Sequence, residues 1–354
     1  MEDHRVSRFP SLAARLTRRA AGAGAALLLA TALAAPARAQ TVPVRIGYIP
    51  IIGAAPVVVA DKQGWLKDAG LAPAFTVFES GPNMIQALAS GTIDVYVAGV
   101  APLAVARSKG IDVKVVAATA IEEMTFVASP KLAPFFEGGK PAAEAFKAFK
   151  AATGKPARLA TQPPGSVPET TLRHWLERVT KTDKADVEIV PMGIDATQQA
   201  LLAGAVDGAT IREPADTIVM ERNPAIKLIA LGGAMFPTQP GTVIGVSGAF
   251  LAKHPKAVQA LVDANIRAID FIKKDPAAAA PLIGTVLGKG IVSDETIKKA
   301  LASPATKLEA DPRVIIEPTR QMQAFQLSIG TLDKELPLDG LFDTTFYETA
   351  AKAR

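Results

Sequence analysis

Short apolar runs alternate with helix-length segments along most of this chain, and that alternation limits the folds it can adopt. The first four predicted strands cover 44–49, 73–78, 93–99 and 113–119. A second series of predicted strands covers 157–161, 187–191, 205–211 and 225–231. The segments between them have the apolar spacing of helices, and several end just before a glycine. Strands that alternate with helices form mostly parallel sheets with helices on both faces, so we predict an α/β protein.

The two series of strands also repeat each other. The segment "IQALASGTID" (85–94) aligns without gaps with "QQALLAGAVD" (198–207), which defines a fixed offset between the two halves. Trp65 and Trp175 align at a nearly equal offset. Alanine-rich amphipathic helices resemble one another by chance, which is the alternative explanation. Several matches in the same order favour two similarly wound, doubly wound α/β lobes.

The last third of the chain is mainly helical after one more strand. A strand is predicted from Thr242, and helices are predicted at 255–274, 294–302, 318–333 and 341–353. The chain is expected to cross to a second lobe near 120–128 and to return near 232–243. We therefore predict that lobe one comprises 40–124 and 236–354, and that lobe two comprises 125–235. Two crossings make a two-segment hinge, with a ligand cleft between the lobes.

The first 39 residues have the pattern of an export signal. Arg15, Arg18 and Arg19 precede an apolar run over 20–35, and Ala37-Arg38-Ala39 fits the small-x-small cleavage rule. We predict cleavage before Gln40 and an exported, soluble protein, located in the periplasm if the host has two membranes. The twin arginines lack the apolar residue that usually follows them, so the export route stays open.

Charge and cysteine content exclude several functions. The formal net charge is +5 for the whole chain, and six arginines against two acids in the predicted signal reduce the remainder to about +1. No nucleic-acid partner is expected from such a balance. The chain has no cysteine, which excludes disulfides, thiolate metal sites and cysteine nucleophiles.

Opposite charges stand at the end of one predicted strand, in the stretch "VDGATIREPAD" (206–216). Arg212 and Glu213 follow an apolar run, and the offset between the two halves places Arg212 opposite Gly99. Both positions are strand-to-helix turns at the carboxyl ends of parallel strands, where ligands bind in open α/β sheets. We predict that at least one of the two charges contacts a ligand. The alternative is an ion pair between Arg212 and Glu213 that only stiffens the turn.

Two further turns have the same character. "SGPNM" (80–84) and "QPPGSVPE" (162–169) each place a glycine and a capping residue before a predicted helix. Unpaired N–H groups at such helix starts favour an anion. Glu122 and Glu123 follow a predicted strand at the hinge. Either they are solvated, or one points inward and gives the site an acidic side.

Catalysis is not expected from this sequence. His4 lies in the predicted signal, and neither His174 nor His254 has a nucleophile or a metal partner at a recognisable spacing. "GSVPE" is not the Gly-x-Ser-x-Gly elbow of hydrolases. We predict a protein that is not an enzyme and has no cofactor and no bound metal.

An ordered series of motifs resembles a known family. "GYIPIIGAAPVVVADKQGWLKDAGL", "SGPNMIQALASGTIDVYVAGVAPLAVARSKG" and "IREPAD" together resemble the nitrate/sulfonate/taurine-type periplasmic substrate-binding proteins, the receptors of ABC importers. The resemblance spans nearly all of 40–354. It implies the type II periplasmic-binding-protein fold, a small-molecule ligand between the lobes, and transmembrane permease subunits as partners of a monomer. Arg212 stands where the family has an aromatic residue before Glu-Pro, so the identity of the ligand cannot be taken over from the family.

The predicted ligand-binding residues lie at strand ends and in the first turns of the following helices. They are Tyr48, Ile51, Ile52, Ser80, Gly81, Asn83, Gly99, Val100, Ala101, Glu122, Gln162, Gly165, Ser166, Val167, Met192, Arg212 and Glu213. An arginine suits a sulfonate, carboxylate or phosphonate, and the glutamates suit an amine, so a sulfonate- or taurine-like, nitrate-like or carboxylate solute is expected. The expected solute is a small anionic or zwitterionic organic molecule. A cation or metal complex is one alternative, because the site is rich in carboxylates, and an enzyme similar to pyrimidine-precursor synthases is another.

Overall fold

The computed structural model describes residues 1–2, 41–287 and 292–354. The predicted signal peptide falls almost entirely on 3–40, outside the described residues. Thr41–Arg354 packs as one compact unit. Within the described part of the chain, no helix has the length and apolar character that a bilayer crossing requires.

Ten strands and fifteen helices make up the described part of the chain, apart from short 3-10 and π turns. The strands are β1 Val42–Tyr48, β2 Leu71–Val77, β3 Val95–Gly99, β4 Val113–Ala118, β5 Thr125–Ala128, β6 Ala157–Thr161, β7 Val187–Pro191, β8 Gly208–Ile211, β9 Lys227–Leu231 and β10 Thr242–Ser247. The helices of the two sheet regions are α1 Ala55–Lys62, α2 Trp65–Asp68, α3 Gly81–Ala89, α4 Ala101–Ser108, α5 Ala142–Thr153, α6 Val167–His174, α7 Ile194–Leu202, α8 Ala215–Arg222 and α9 Gly232–Met235. The remaining helices are α10 Gly248–Lys253, α11 Pro255–Lys274, α12 Pro276–Leu287, α13 Asp294–Ala302, α14 Ile316–Ser328 and α15 Thr345–Lys352.

The strands form two five-stranded sheets with the same winding. The first has the order β2-β1-β3-β10-β4, and the second has the order β7-β6-β8-β5-β9. In each sheet the fourth strand is antiparallel to both of its neighbours, while the first three strands pair in parallel. The prediction of two doubly wound α/β lobes is confirmed. Strand β5 was not predicted, because its four residues fall inside the expected hinge.

The internal repeat is visible in the bonding as well as in the element order. Helices α3 and α7 have the same length, and both of their ends are related by the offset that the sequence repeat defines. The backbone N–H of Arg45 donates to Asp94 Oδ2 at 3.0 Å, and the N–H of Arg158 donates to Asp207 Oδ2 at 2.9 Å. These two pairs are related by the same offset. Asp94 precedes β3 and Asp207 precedes β8, and each carboxylate bonds to the backbone of the neighbouring strand. The same contact therefore helps to fix the strand register in both sheets.

Two adjacent segments connect the sheets. The chain leaves the first sheet after Ala118 and returns to it at Thr242. The segments lie side by side, because Glu122 N–H donates to the Gln239 carbonyl at 2.8 Å and Ile121 bridges to Pro240. That arrangement is what a two-segment hinge requires. The lobe boundaries themselves stay a prediction.

The helices after β10 pack against both sheet regions. Lys299 Nζ on α13 donates to Glu221 Oε1 on α8 at 2.7 Å. Gln326 Nε2 on α14 donates to the Gly165 carbonyl at 3.4 Å, and Met322 joins the apolar core of the second sheet. The C-terminal helices, which the sequence analysis placed with the first lobe, therefore also tie the second sheet region to the rest of the chain.

Candidate functional site

Turns from the two sheets meet directly. Gly99 ends β3 in the first sheet, and a Cβ added to it would lie 2.6 Å from Cγ2 of Val167, the first residue of α6. The Ile52 N–H donates to the carbonyl of Glu213 at 2.8 Å. These contacts join the carboxyl ends of β3 and β1 to those of β6 and β8. The predicted ligand turns of both lobes thus face each other in a closed arrangement.

A second contact across the same seam involves Glu79, which the sequence analysis did not select. The N–H groups of Ile194 and Asp195 donate to the Glu79 carbonyl at 3.2 Å and to its Oε2 at 3.3 Å. The Glu79 carboxylate therefore sits at the N-terminus of α7, where the helix dipole favours an anion. In the sequence, the signal available for this contact was the position of Glu79 immediately before the capping residue Ser80.

The two capping serines lie where the turns predicted them. Ser80 Oγ accepts from the Asn83 N–H at 3.4 Å, and Ser166 Oγ accepts from the Glu169 N–H at 3.3 Å. Both serines are buried. Their capping role is confirmed, and ligand contact by the two helix starts stays a prediction.

Arg212 is buried at the junction between the lobes, and its ion-pair partner is Glu123. Arg212 is 2% exposed, and its Nη1 donates to Glu123 Oε1 at 3.2 Å. The hydroxyl of Thr242, the first residue of β10, donates to the same oxygen at 2.6 Å. The expected alternative, an Arg212–Glu213 pair, is wrong, because Glu213 turns to the N-terminus of its own helix and accepts from the Thr217 N–H at 3.1 Å.

The two hinge glutamates face different ways. Glu122 is the one that the sequence analysis selected, and it is ion-paired with Lys307 from the C-terminal part of the chain. Glu123 is 5% exposed and contacts Arg212. A backbone φ of +48° at Glu122 turns the chain between them. Adjacent glutamates carry no sequence signal that says which one points inward.

One side-chain atom of each residue in the Arg212–Glu123 pair has no hydrogen-bond partner within the described residues. Arg212 Nη2 and Glu123 Oε2 are both buried, and neither has a hydrogen-bond partner within the described residues. Glu123 Oε2 faces Gly53, where an added Cβ would collide with it and lie 2.6 Å from Thr242 Oγ1. A buried ionic atom without a partner costs free energy, and a water, an ion or a ligand can satisfy it.

The remaining predicted residues divide into a buried group and a more exposed pair. Tyr48, Ile51, Ile52, Gly81, Val100, Ala101, Gln162 and Gly165 are buried at or next to the strand ends. Met192 is half-buried and packs against the second-sheet core, and the Asn83 side chain is exposed. Contacts across the seam are made by Ile52 with Glu213, by Gly99 with Val167 and by Arg212 with Glu123. The Asn83 side chain is exposed to solvent.

Asp216 forms a second buried acidic centre behind Glu213. The Thr125 hydroxyl lies 2.7 Å from each Asp216 carboxylate oxygen. Burial, with the nearby Glu213 charge as the smaller cause, raises the pKa of Asp216 well above its usual value. Burial likewise raises the pKa of Glu213, although hydrogen bonds from Ser303 and Thr217 oppose it.

These raised pKa values give a testable dependence of stability on pH. An acid whose folded pKa is raised stabilises the fold below its unfolded pKa, and this contribution is lost as the pH rises through the folded pKa. Asp216→Asn keeps a polar group beside Thr125 but removes the charge, so we expect a higher melting temperature than wild type in alkaline buffer. Thermal unfolding between about pH 4 and pH 9 should show the difference shrinking toward acid.

The exposed Asp68→Asn is the matched control for this experiment. It should follow the wild-type profile. Parallel pH profiles for wild type and Asp216→Asn would show that the Asp216 charge does not limit stability.

His174 contacts a backbone carbonyl and two aromatic rings. His174 Nδ1 lies 2.8 Å from the Met235 carbonyl oxygen, and its ring packs against Phe236 and Phe325. Burial lowers the pKa of His174. Across 41–287 and 292–354, no three His, Cys, Asp or Glu residues come together as a metal site would require.

Comparisons with known proteins agree on the family and the fold. A family model described as the NMT1-like family matches residues 37–287. The chain is 24% identical over 301 residues to the putative aliphatic sulfonates-binding protein of Bacillus subtilis, covering 83% of this chain and 84% of that protein. It is 27% identical over 236 residues to the nitrate import ATP-binding protein NrtC of Synechococcus elongatus, covering 66% of this chain but only 36% of NrtC.

Solved structures match over most of the chain. The periplasmic nitrate-binding protein NrtA from Synechocystis superposes with a TM-score of 0.76, at 15% identity, and 89% of each chain is covered. An identity this low shows the fold alone. The predicted periplasmic-binding-protein fold is confirmed, as is the resemblance stated from the sequence.

Proposed function

Because the chain belongs to the NMT1-like family, we propose that it is the solute-binding receptor of an ABC importer. It captures one small organic solute, anionic or zwitterionic, between its lobes and delivers it to a membrane permease. With the predicted signal peptide, the site of capture is the periplasm. The relatives that are named for nitrate import and for aliphatic sulfonates support the class of function and leave the individual solute open.

The observation that carries this proposal is the meeting of strand-end turns from both lobes around a buried arginine. Ile52 contacts Glu213, and Gly99 contacts Val167. Arg212 reaches from the end of β8 to Glu123, and Glu123 in turn is held by Thr242 at the start of β10. A solute in this seam touches both lobes, so it binds the closed arrangement more tightly than an open one and shifts the population toward it.

Titration of ligand-stripped protein tests the proposal. The protein would be unfolded, dialysed, refolded and screened by thermal unfolding against nitrate, bicarbonate, propionate, β-alanine, ethanesulfonate and 2-aminoethanesulfonate, with glycerol as the control. A solute present at about 100 times its Kd raises the free energy of unfolding by about 2.7 kcal/mol. We expect such stabilisation with at least one of the six solutes and none with glycerol.

Recovery of the solute separates a receptor from an enzyme. After overnight incubation the bound molecule should be recovered chemically unchanged, at one per chain. Consumption of the solute with a new product in its place would contradict the receptor and support catalysis on the same fold.

A further inference from the structure

One contact between the two sheet regions lies at the edge farthest from the connecting segments. The chain leaves the first sheet at β4 and returns to it at β10, and in the second sheet the same segments join β5 and β9. Strands β2 and β7 are the opposite edges of the two sheets. Glu79 follows β2, Gly193 follows β7, and the two turns meet there. Because opening about a hinge moves the far edge most, this contact depends on closure of the lobes.

Helix α7 begins without a cap of its own. The offset of the sequence repeat aligns Gly193, the residue before α7, with Ser80, the residue before α3. Ser80 caps α3 through its hydroxyl, whereas Gly193 has no side chain that could do the same for α7. Glu79 takes this role from the other sheet, since its carbonyl accepts from the Ile194 N–H at 3.2 Å and its Oε2 accepts from the Asp195 N–H at 3.3 Å. Such acceptors satisfy N–H groups that a helix start leaves unpaired, and a carboxylate also suits the helix dipole.

Space, and not backbone conformation, explains the glycine before α7. Gly193 has φ −66° and ψ 165°, which any residue can adopt. A Cβ added to it would lie 3.0 Å from Glu79 Oε2 and 3.2 Å from Glu79 Cβ. A serine at this position would therefore press on Glu79. The glycine gives up a cap from its own lobe and leaves room for one from the opposite lobe.

The first residue of α7 adds an apolar contact at the same edge. Ile194 is 7% exposed, and it belongs to the apolar core of the first sheet region although α7 belongs to the second. Closure therefore buries this side chain and pairs its backbone N–H together. Glu79 is exposed, so the contact can open without leaving a charge buried and unpaired.

We propose that Glu79 is a latch, which holds the two lobes closed by capping α7 from the opposite lobe. The contact involves only protein groups, so it favours closure in the solute-free protein as well. Its consequence for binding rests on the proposed receptor function. A contact that favours the closed state raises the affinity for any solute that binds between the lobes.

Amide hydrogen exchange of the solute-free protein, resolved to single residues by NMR, tests the latch. The reporter is the Ile52 N–H, which donates to the Glu213 carbonyl across the seam at 2.8 Å. It lies beside Glu123 of the connecting segments, away from Glu79. We expect protection of Ile52 in wild type and about fivefold faster exchange in Glu79→Ala, the change that loss of a typical helix cap produces. Glu79→Gln keeps an acceptor oxygen and should lie between the two.

Two further variants show whether the effect belongs to this contact. Ser247→Ala is the matched control, because Ser247 Oγ accepts from the Phe250 N–H at 3.3 Å and caps α10 within the first sheet region. It should lower the melting temperature and leave Ile52 exchange at the wild-type rate. Gly193→Ala should speed Ile52 exchange, and it should add little in the Glu79→Ala background, since both substitutions act on one contact.

The exchange rates decide the latch without any solute. Wild-type exchange of Ile52 in folded Glu79→Ala, or an unprotected Ile52 in wild type, would overturn it. Faster exchange at Ile194 and Asp195 alone would also overturn it, because Glu79 would then cap the helix without holding the lobes.

Calorimetric titration separates the latch from the receptor function. The probe is whichever of the six solutes above stabilises wild type most, and we expect Glu79→Ala to bind it more weakly than wild type. Tighter binding would mean that Glu79 competes with the solute for the start of α7, which would overturn the latch. If none of the six solutes binds to wild type, the receptor proposal falls, and hydrogen exchange still decides the latch.

Discussion

Arg212→Ala should lower the free energy of unfolding by about 3–5 kcal/mol, because it leaves Glu123 buried without its counter-charge. The same substitution should weaken solute binding at least tenfold, since a charge-assisted contact is lost. Chemical denaturation and calorimetric titration on the surviving folded protein measure the two effects separately. By contrast, Arg320→Ala breaks the exposed Arg320–Glu317 pair and should cost less than about 1 kcal/mol.

The double variant Arg212→Ala with Glu123→Gln separates the two roles of Arg212. It should regain most of the lost stability, because no unpaired charge remains buried, yet it should still bind the solute poorly. Wild-type affinity in this double variant would mean that Arg212 serves only the fold. The solute would then have to be held by the helix starts at 80–83 and 165–167.

Gly99→Ala should weaken solute binding about ten- to a hundredfold while the protein remains folded. The three atoms nearest to an added Cβ all belong to Val167 in the opposite lobe, the closest at 2.6 Å. Overpacking of this kind costs about 1–3 kcal/mol, and here the cost falls on the closed state alone. Because the solute binds the closed state, the lost closure appears as lost affinity, which calorimetric titration measures.

Two companion variants give this prediction its specificity. Val167→Ala should restore binding to Gly99→Ala by removing Cγ2, the methyl group that collides with the added Cβ. Gly245→Ala introduces a contact of 2.9 Å with Leu103 inside the first lobe, so it should lower the melting temperature and leave the affinity of the folded protein unchanged. If Gly99→Ala binds like wild type, the seam between Gly99 and Val167 does not close on the solute.

Much of the architecture could be predicted because local pattern and global fold agree. The strand predictions at 157–161 and 187–191 match β6 and β7, and the helix predictions at 255–274 and 294–302 match α11 and α13. These elements have strong apolar periodicity and clear boundaries. Helix α12, by contrast, was missed, because its alanine- and proline-rich sequence has little periodicity.

The similar winding of the two lobes was also predictable from the sequence repeat. Not every residue that aligns between the two halves has the same structural role in both. One offset in the numbering relates both α3 to α7 and Asp94 to Asp207. The two tryptophans differ in environment, since Trp65 is half-buried beneath Arg267 and Trp175 packs in an aromatic core with Phe126. An alignment of two bulky residues is therefore weaker evidence for a structural repeat than an alignment of two hydrogen-bonded pairs.

The candidate site was predictable in position and less so in its contacts. Strand ends and capping residues mark where a ligand is expected, because they follow from local sequence. The partner of Arg212 did not follow, because Glu123 is far from it in sequence and lies beside an equally plausible Glu122. Which of two adjacent glutamates points inward depends on one backbone turn, and that turn is set by tertiary packing.

Small-angle X-ray scattering of ligand-stripped protein shows whether the two lobes close on the solute, as the proposed receptor function requires. Scattering would be recorded without solute and with the solute identified by titration at saturating concentration. We expect a smaller radius of gyration with solute, and no such decrease for Gly99→Ala at the same solute concentration. An unchanged radius of gyration for wild type at saturation would contradict this expectation and would indicate a rigid pocket instead.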